Sequence, residues 1–142
     1  MKIKPRDRMR FASFDPGDVH VGVALFEKGK CVYSREHSPE SSLQWLDERL
    51  EEGLDHVVIE RFQLYPNKAA AQHGSDMLTS QLIGAMRLLA CQHHCPVTQQ
   101  QAALKKPTES LITRRGIKRL STKEGNHAKD AETHGYAFIW RG

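Results

Sequence analysis

Cysteine is scarce in this chain, and long apolar runs are missing altogether. Three cysteines in 142 residues are an odd and low number, which argues against a disulfide framework. No apolar run approaches the roughly 20 residues that cross a bilayer. The basic N-terminal segment MKIKPRDRMR lacks the apolar stretch of a secretory signal. We therefore expect a cytoplasmic protein in which residues 1–142 form one globular domain.

Positive charge outweighs negative charge and is concentrated in the sequence. The net charge is +4, and the segment from Lys105 to Lys123 holds seven basic residues against the single acid Glu109. A charge run of this kind can be a solvated surface, or it can contact a polyanion. A second basic run at the N-terminus favours nucleic acid as the partner.

The first third of the chain is dominated by strand signals. Residues 10–15, 20–26 and 31–36 are apolar or alternating segments joined by short turn sequences, which predicts an antiparallel meander. Ser38-Pro39-Glu40 then begins a helix that ends at Gly53. The following run, residues 56–60, is typical of a strand buried on both faces.

The remainder of the chain alternates between helix and strand signals. The predicted elements are a loop at 61–75, a helix over 76–94, a strand at 96–98, a helix over 99–105 that Lys106-Pro107 breaks, a short helix and mobile loop within 108–126, and a final helix over 127–140. This order predicts an α/β fold with a mixed five-stranded sheet, three antiparallel strands followed by parallel ones, and helices on both faces.

Carboxylates stand at the ends of two predicted strands. Asp15 ends the first strand and Glu60 ends the fourth. If these strands are parallel neighbours, the two side chains lie side by side, and a hard divalent cation such as Mg²⁺ would relieve their repulsion. In the last helix, His127 and Asp130 are three residues apart and project from one face, with His134 four residues beyond. The set predicts a metal site that acts on phosphodiesters.

Three motifs resemble those of RuvC-type Holliday-junction resolvases, which belong to the RNase H-like superfamily. They are Phe14-Asp15-Pro16-Gly17 with Gly22-Val23-Ala24, then Val57-Val58-Ile59-Glu60, and finally His127-Ala128-Lys129-Asp130-Ala131. The resemblance implies an RNase H-like fold and a homodimer that cuts four-way DNA junctions with two Mg²⁺ ions, for which Mn²⁺ can substitute. It also makes a phage origin one expectation, since small phage-encoded members have similar lengths.

The resemblance also implies a role for each residue of the site. Asp15 would bridge both metal ions, Glu60 would hold one and Asp130 the other. His127 would ligate a metal ion or handle the proton of the attacking water. His134 is a possible accessory residue, and the sequence does not rank it against His127.

Nucleic-acid contacts are expected from two segments. The candidates are Arg61, Tyr65 and Lys68 after the fourth strand, and Lys105, Lys106, Arg114, Arg115, Lys118 and Arg119 in the basic run. Tyr65 is a candidate for stacking on unpaired bases. Phe62 either stacks in the same way or packs in the core. The helix over 76–94 either covers the sheet, forms the dimer interface, or does both.

Other interpretations remain open at this point. An RNA-processing nuclease of the same fold, of the type that trims ribosomal RNA precursors, would use the same carboxylates. A non-catalytic nucleic-acid-binding module would share the fold, but clustered acids beside phosphates make sense only with a cation between them. A zinc site at Cys91-Gln92-His93-His94-Cys95 is disfavoured, because no second cysteine pair accompanies it.

Overall fold

A computed structural model describes residues 4–62, 75–123 and 126–141, with the side chains of residues 75–77, 122 and 123 left out. The strands are β1 Phe11–Asp15, β2 Val21–Glu27, β3 Lys30–His37, β4 His56–Glu60 and β5 Val97–Gln100. The helices are α1 Pro39–Glu52, α2 Ser75–Gln92, α3 Lys105–Arg114 and α4 Asn126–Trp140. Short 3₁₀ turns span Arg6–Arg8, Ala102–Leu104 and Leu120–Lys123.

The five strands form one mixed sheet in the order β3-β2-β1-β4-β5. The pairs β1–β2 and β2–β3 are antiparallel, whereas β1–β4 and β4–β5 are parallel. The predicted mixed sheet is therefore confirmed. Phe14 on β1 pairs with Ile59 on β4, so the carboxyl ends of these two strands lie next to each other. Asp15 and Glu60, the last residues of the two strands, share that edge of the sheet.

Apolar side chains cover both faces of the sheet. One cluster, which includes Phe14, Leu46, Ile59 and Met86, packs α1 and α2 against one face. The second cluster packs α3 and α4 against the opposite face; it includes Phe11, Phe26, Val58, Ile112 and Phe138. Strand β1 is buried along its whole length, as expected for a central strand with helices on both sides.

Helix α1 begins and ends where the sequence predicts. The side chain of Ser38 accepts a hydrogen bond from the backbone N–H of Ser41 at 3.2 Å, and Pro39 occupies the first helical position. Gly53 ends the helix with a φ of 110°, a backbone conformation that residues with a Cβ rarely adopt. These local signals are strong because each satisfies or spares a backbone group that the helix leaves unpaired.

Helix α4 crosses the sheet at very short range. A Cβ at Gly22 would lie 1.8 Å from the carbonyl oxygen of His127, and a Cβ at Gly135 would lie 2.0 Å from Cε1 of Phe26. Both glycines are therefore required by close approach rather than by backbone conformation. The contact at Gly22 fixes the first turn of α4 beside the strand that pairs with Asp15.

The region around β5 departs from the prediction. The predicted helix over 99–105 is wrong, because β5 continues to Gln100 and only a 3₁₀ turn follows before α3 begins at Lys105. Pro107 does not break a helix; it lies in the first turn of α3, where the helix does not use its missing N–H. The predicted loops at 61–75 and around Gly125 lie largely outside the described residues.

Candidate metal and nucleic-acid site

The carboxyl groups of Asp15 and Glu60 adjoin at the edge of the sheet. Asp15 is 3% exposed, and the Glu60 side chain is 16% exposed. Burial raises the pKa of Asp15, and the neighbouring Glu60 raises it further, while His127 lowers it. Burial opposes ionisation of Glu60 as well, but hydrogen bonds from His134, Asp15 and Lys105 outweigh it and lower the pKa of Glu60. Two buried carboxyl groups in contact require a proton or a cation between them.

His127 is paired with Asp15. Its Nδ1 lies 2.8 Å from Oδ2 of Asp15, and its side chain is 40% exposed. The hydrogen bond to Asp15 raises the pKa of His127, against the effect of burial. The first turn of α4 thus carries the imidazole to the edge of the sheet, as the contact at Gly22 requires.

Lys105 lies between two of the carboxylates. Its Nζ is 2.9 Å from Oε1 of Glu60 and 3.1 Å from Oδ2 of Asp130. Burial lowers the pKa of Lys105, but the two carboxylates raise it above its ordinary value. The sequence predicts Lys105 as a nucleic-acid contact, whereas here its ammonium group pairs with carboxylates. Strand β5 causes this, because it runs parallel to β4 and delivers the following residues to the same edge.

Two buried residues stand behind Glu60. His134 is fully buried, and its Nε2 lies 3.1 Å from Oε1 of Glu60. The amide nitrogen of Gln100 lies 3.0 Å from Nδ1 of His134 and 3.0 Å from its carbonyl oxygen. The structure therefore separates the two histidines of α4: His127 is half-exposed beside Asp15, and His134 is buried beneath Glu60. Gln100 is not predicted by the sequence, in which its only signal is a polar residue at a strand end.

The donor set suits a divalent cation with oxygen ligands. Asp15, Glu60 and Asp130 come from β1, β4 and α4 and lie with His127 along one edge of the sheet, where His127 pairs with Asp15 and Lys105 joins Glu60 to Asp130. Lys105 supplies a positive charge between Glu60 and Asp130. Carboxylates with an imidazole match the ligand preferences of Mg²⁺ and Mn²⁺. Among the described residues, three ligand atoms within 4.8 Å of one another occur instead at Asp47, Glu51 and His93, on α1 and just after α2.

A buried carboxylate ties the connection between α3 and α4 to α4 itself. Glu132 is fully buried and accepts hydrogen bonds from the backbone N–H groups of Leu120 and Ser121 at 3.2 and 3.1 Å. The hydroxyl of Ser121 donates a further bond of 2.5 Å. The 3₁₀ turn that begins at Leu120 is thereby capped by a side chain of the helix that follows it.

The basic residues predicted to contact DNA divide into two groups. Arg61, Lys106 and Arg114 are exposed, and the last two line a shallow groove of about 790 Å³ on the outer side of α3, together with Glu109, Ser110 and Thr113. These positions are free to face a phosphate backbone. Tyr65 and Lys68 lie outside the described residues.

The other basic residues of the run lie farther along the chain. Arg119 donates a 2.7 Å hydrogen bond to the carbonyl of Lys129 and another to the hydroxyl of Thr133, so it anchors the connection to α4. Arg115 lies 4.3 Å from the centre of the Trp140 ring, while Lys118 is exposed. Arg119 and Arg115 therefore both contact α4, and the DNA contact predicted for Lys118 stays a prediction.

Four further residues singled out in the sequence lie within the described part of the chain. Phe62 packs against the core cluster of α1 and α2, which is the packing alternative of the sequence analysis. Cys95 is buried with its Sγ 3.6 Å from the carbonyl of Leu54, while Cys91 is exposed. His93 turns toward α1, where its Nε2 lies 3.7 Å from Asp47 and 3.6 Å from Glu51.

Helix α2 covers the sheet and also leaves leucines exposed. Leu82, Ile83 and Met86 are buried against the core, whereas Leu78 and Leu88 are 55% and 59% exposed. No helix within the described ranges is both long and apolar enough to cross a membrane.

Comparison with known proteins identifies the fold. No protein-family model matches the chain, and no curated protein matches it in sequence. A structure of Thermus thermophilus RuvC in complex with a Holliday junction substrate aligns with a TM-score of 0.69 and 18% identity, over 94% of this chain and 96% of that one. A second Thermus thermophilus RuvC structure aligns with a TM-score of 0.63 and 19% identity, over 92% and 95% of the two chains. The predicted RNase H-like, RuvC-type fold is thereby confirmed.

Proposed function

We propose that this chain is a divalent-metal-dependent endonuclease that cuts branched DNA, with the four-way junction as its substrate. The observation that supports the proposal is the position of Asp15, Glu60 and Asp130 with His127 along one sheet edge of a RuvC-type fold. RuvC of Thermus thermophilus has been captured with a Holliday junction substrate, and this chain aligns over nearly all of that protein.

Asp15, Glu60, Asp130 and His127 would hold two Mg²⁺ ions, or Mn²⁺ in their place. Bound there, the ions would supply charge neutralisation for a phosphodiester and lower the pKa of an attacking water. Asp15 would be the central ligand, because it is the most buried of the three carboxylates at this edge and contacts both Glu60 and His127. The hydrogen bond between Nδ1 and Asp15 fixes the orientation of the His127 ring, so Nε2 is the ring atom that would face the substrate.

The exposed basic groups would hold the DNA backbone near this edge. Lys106 and Arg114 stand two helical turns apart on α3, in line with Ser110 between them, and α3 begins at the lysine that touches Glu60 and Asp130. Contacts of this kind give affinity without reading sequence. Cleavage specificity for branched DNA would then come from the shape of the substrate.

A two-fold dimer would place two such sites on the two-fold symmetric junction. The exposed leucines of α2, Leu78 and Leu88, are the proposed contact. Light scattering should give twice the mass of the chain, and Leu88→Glu should shift the population toward monomer. A monomeric wild-type protein at working concentration would remove paired incision from the proposal.

The direct test is cleavage of end-labelled substrates in Mg²⁺ and in Mn²⁺. A four-way junction, a Y-fork, a linear duplex and a structured RNA are compared side by side. Asp130→Asn is the inactive variant, and Glu40→Gln, at an exposed carboxylate of α1 outside the Asp47–Glu51–His93 cluster, is the matched control. Symmetric nicks in the junction, lost only in Asp130→Asn, support the proposal. Cleavage of RNA alone points instead to an RNA-processing nuclease, and tight junction binding without cleavage points to a binding module.

A further inference from the structure

Gln100, His134 and Glu60 form a buried chain of hydrogen bonds that ends on a proposed metal ligand. Gln100 is 7% exposed and His134 is fully buried. The chain runs from β5 through α4 to β4, with every step between 3.0 and 3.1 Å. Buried polar groups of this kind are costly unless each donor meets an acceptor, so the direction of every bond can be worked out.

The backbone carbonyl of His134 fixes the direction of the chain. A carbonyl oxygen only accepts, so the Gln100 atom that faces it must be the amide nitrogen. The same nitrogen faces Nδ1 of His134 and donates to it, so Nδ1 carries no proton. The proton of the neutral ring therefore sits on Nε2 and is donated to Oε1 of Glu60.

This proton assignment decides what His134 does. Its Nδ1 lone pair is taken by Gln100, and its Nε2 is a donor, so neither ring nitrogen is available to ligate an ion. We infer that Gln100 and His134 are positioning residues: Gln100 fixes the tautomer of His134, and His134 holds the Glu60 carboxylate in the orientation that binds the metal ion. The inference rests on the proposed function, in which Glu60 is a metal ligand.

The expected effect is a loss of metal affinity. Groups that orient a ligating side chain typically contribute roughly 10–100-fold to metal affinity when they are removed. A purely structural role, in which Gln100 and His134 only join β5 to α4, would lower the stability of the fold and leave the affinity of the folded protein unchanged. Metal binding and stability must therefore be measured separately.

The test is the Mn²⁺ affinity of the folded protein, measured by calorimetry without DNA. Gln100→Leu removes the donor to His134, and Gln99→Leu, at the exposed neighbouring position of β5, is the matched control. His134→Leu removes the hydrogen bond to Glu60, whereas His134→Gln introduces a side-chain amide that can again donate to Glu60. We expect a loss of roughly 10–100-fold for Gln100→Leu and His134→Leu, partial recovery for His134→Gln, and no change for Gln99→Leu. Thermal unfolding identifies the variants that are folded.

The position of the proton on the His134 ring provides a second measurement, which needs neither a metal ion nor a folded variant. The ¹⁵N chemical shifts of His134 in the wild-type protein should show Nε2 protonated and Nδ1 unprotonated. A proton on Nδ1 overturns the inference, as does an unchanged Mn²⁺ affinity in folded Gln100→Leu. If the wild-type protein and Asp130→Asn bind Mn²⁺ equally poorly, the proposed function fails instead, which is a distinguishable result.

Discussion

Replacing Gly22 with alanine tests whether the contact between α4 and β2 sets the geometry of the site. The new Cβ would lie 1.8 Å from the carbonyl oxygen of His127 and 2.9 Å from the backbone nitrogen of Ala128. Both neighbours are backbone atoms of the first turn of α4, so no flexible side chain can move aside. The helix end itself must move away from the strand.

The size of that movement follows from the contact distance. Real Cβ atoms do not approach closer than 3.0 Å, so the first turn of α4 must retreat by more than 1 Å. A misplacement of about 1 Å at catalytic groups can cost about 10²-fold in rate. Overpacking of this type also costs about 1–3 kcal/mol of stability. We therefore expect Gly22→Ala to slow cleavage of a four-way junction about 100-fold and to lower the melting temperature.

Gly84→Ala is the matched control. Gly84 is exposed on α2, and nothing in the described part of the chain lies within 4 Å of a Cβ built there. Because alanine favours a helix interior over glycine, this change should raise the stability by about 0.5–1 kcal/mol and leave cleavage unchanged. Single-turnover cleavage and thermal unfolding of both variants complete the comparison.

Two results would refute the reasoning. Wild-type cleavage by Gly22→Ala would mean that the position of His127 does not depend on this contact. A cleavage defect of equal size in Gly84→Ala would mean that the assay responds to any glycine replacement. A defect in Gly22→Ala that is accompanied by wild-type stability would still support displacement of the helix end, because the strain can be relieved by local movement.

Three further perturbations test other parts of the structure. Lys105→Met removes the cation that pairs with two carboxylates, so Mn²⁺ should bind more tightly in calorimetry, and weaker binding would contradict the arrangement. Burial raises the pKa of Asp55, but hydrogen bonds from the backbone N–H of Arg10 and from the ammonium group of Lys4 outweigh this effect. The pKa of Asp55 is therefore lower in the folded than in the unfolded protein. The difference in free energy of unfolding between the wild-type protein and Asp55→Asn should therefore be largest at neutral pH and disappear as the pH falls through the folded pKa of Asp55. A difference in urea unfolding that does not change with pH would count against this. Cys91 is exposed and should react with a thiol reagent first, because burial raises the pKa of Cys31 to about 12 and that of Cys95 to about 11; equal rates for the three would contradict the burial.

The parts of the site that sequence could predict are those carried by local pattern. Asp15 and Glu60 end apolar runs that read as strands, and the spacing of His127 and Asp130 indicates one face of a helix. The structure brings these groups to a common edge because β1 and β4 are parallel neighbours. Their catalytic roles stay predictions.

The parts that could not be predicted depend on which strands are neighbours. Gln100 and Lys105 reach Glu60 only because β5 lies beside β4 in the sheet. The Val97–Gln100 strand has four residues and no apolar alternation, so nothing local separates it from the turn that follows. Pro107 indicates a helix break by propensity, but the same residue is tolerated in a first turn.

The anchoring of Leu120 and Ser121 by Glu132 has a consequence for protein engineering. A chimera that transplants only α4 into a related scaffold would separate the buried Glu132 carboxyl group from the backbone N–H groups of Leu120 and Ser121, which donate hydrogen bonds to it. A buried carboxyl group that loses its hydrogen-bond donors costs roughly 1–3 kcal/mol. The smallest exchangeable unit is therefore the segment 120–140, and a boundary drawn at the start of α4, at Asn126, would lie about six residues too late.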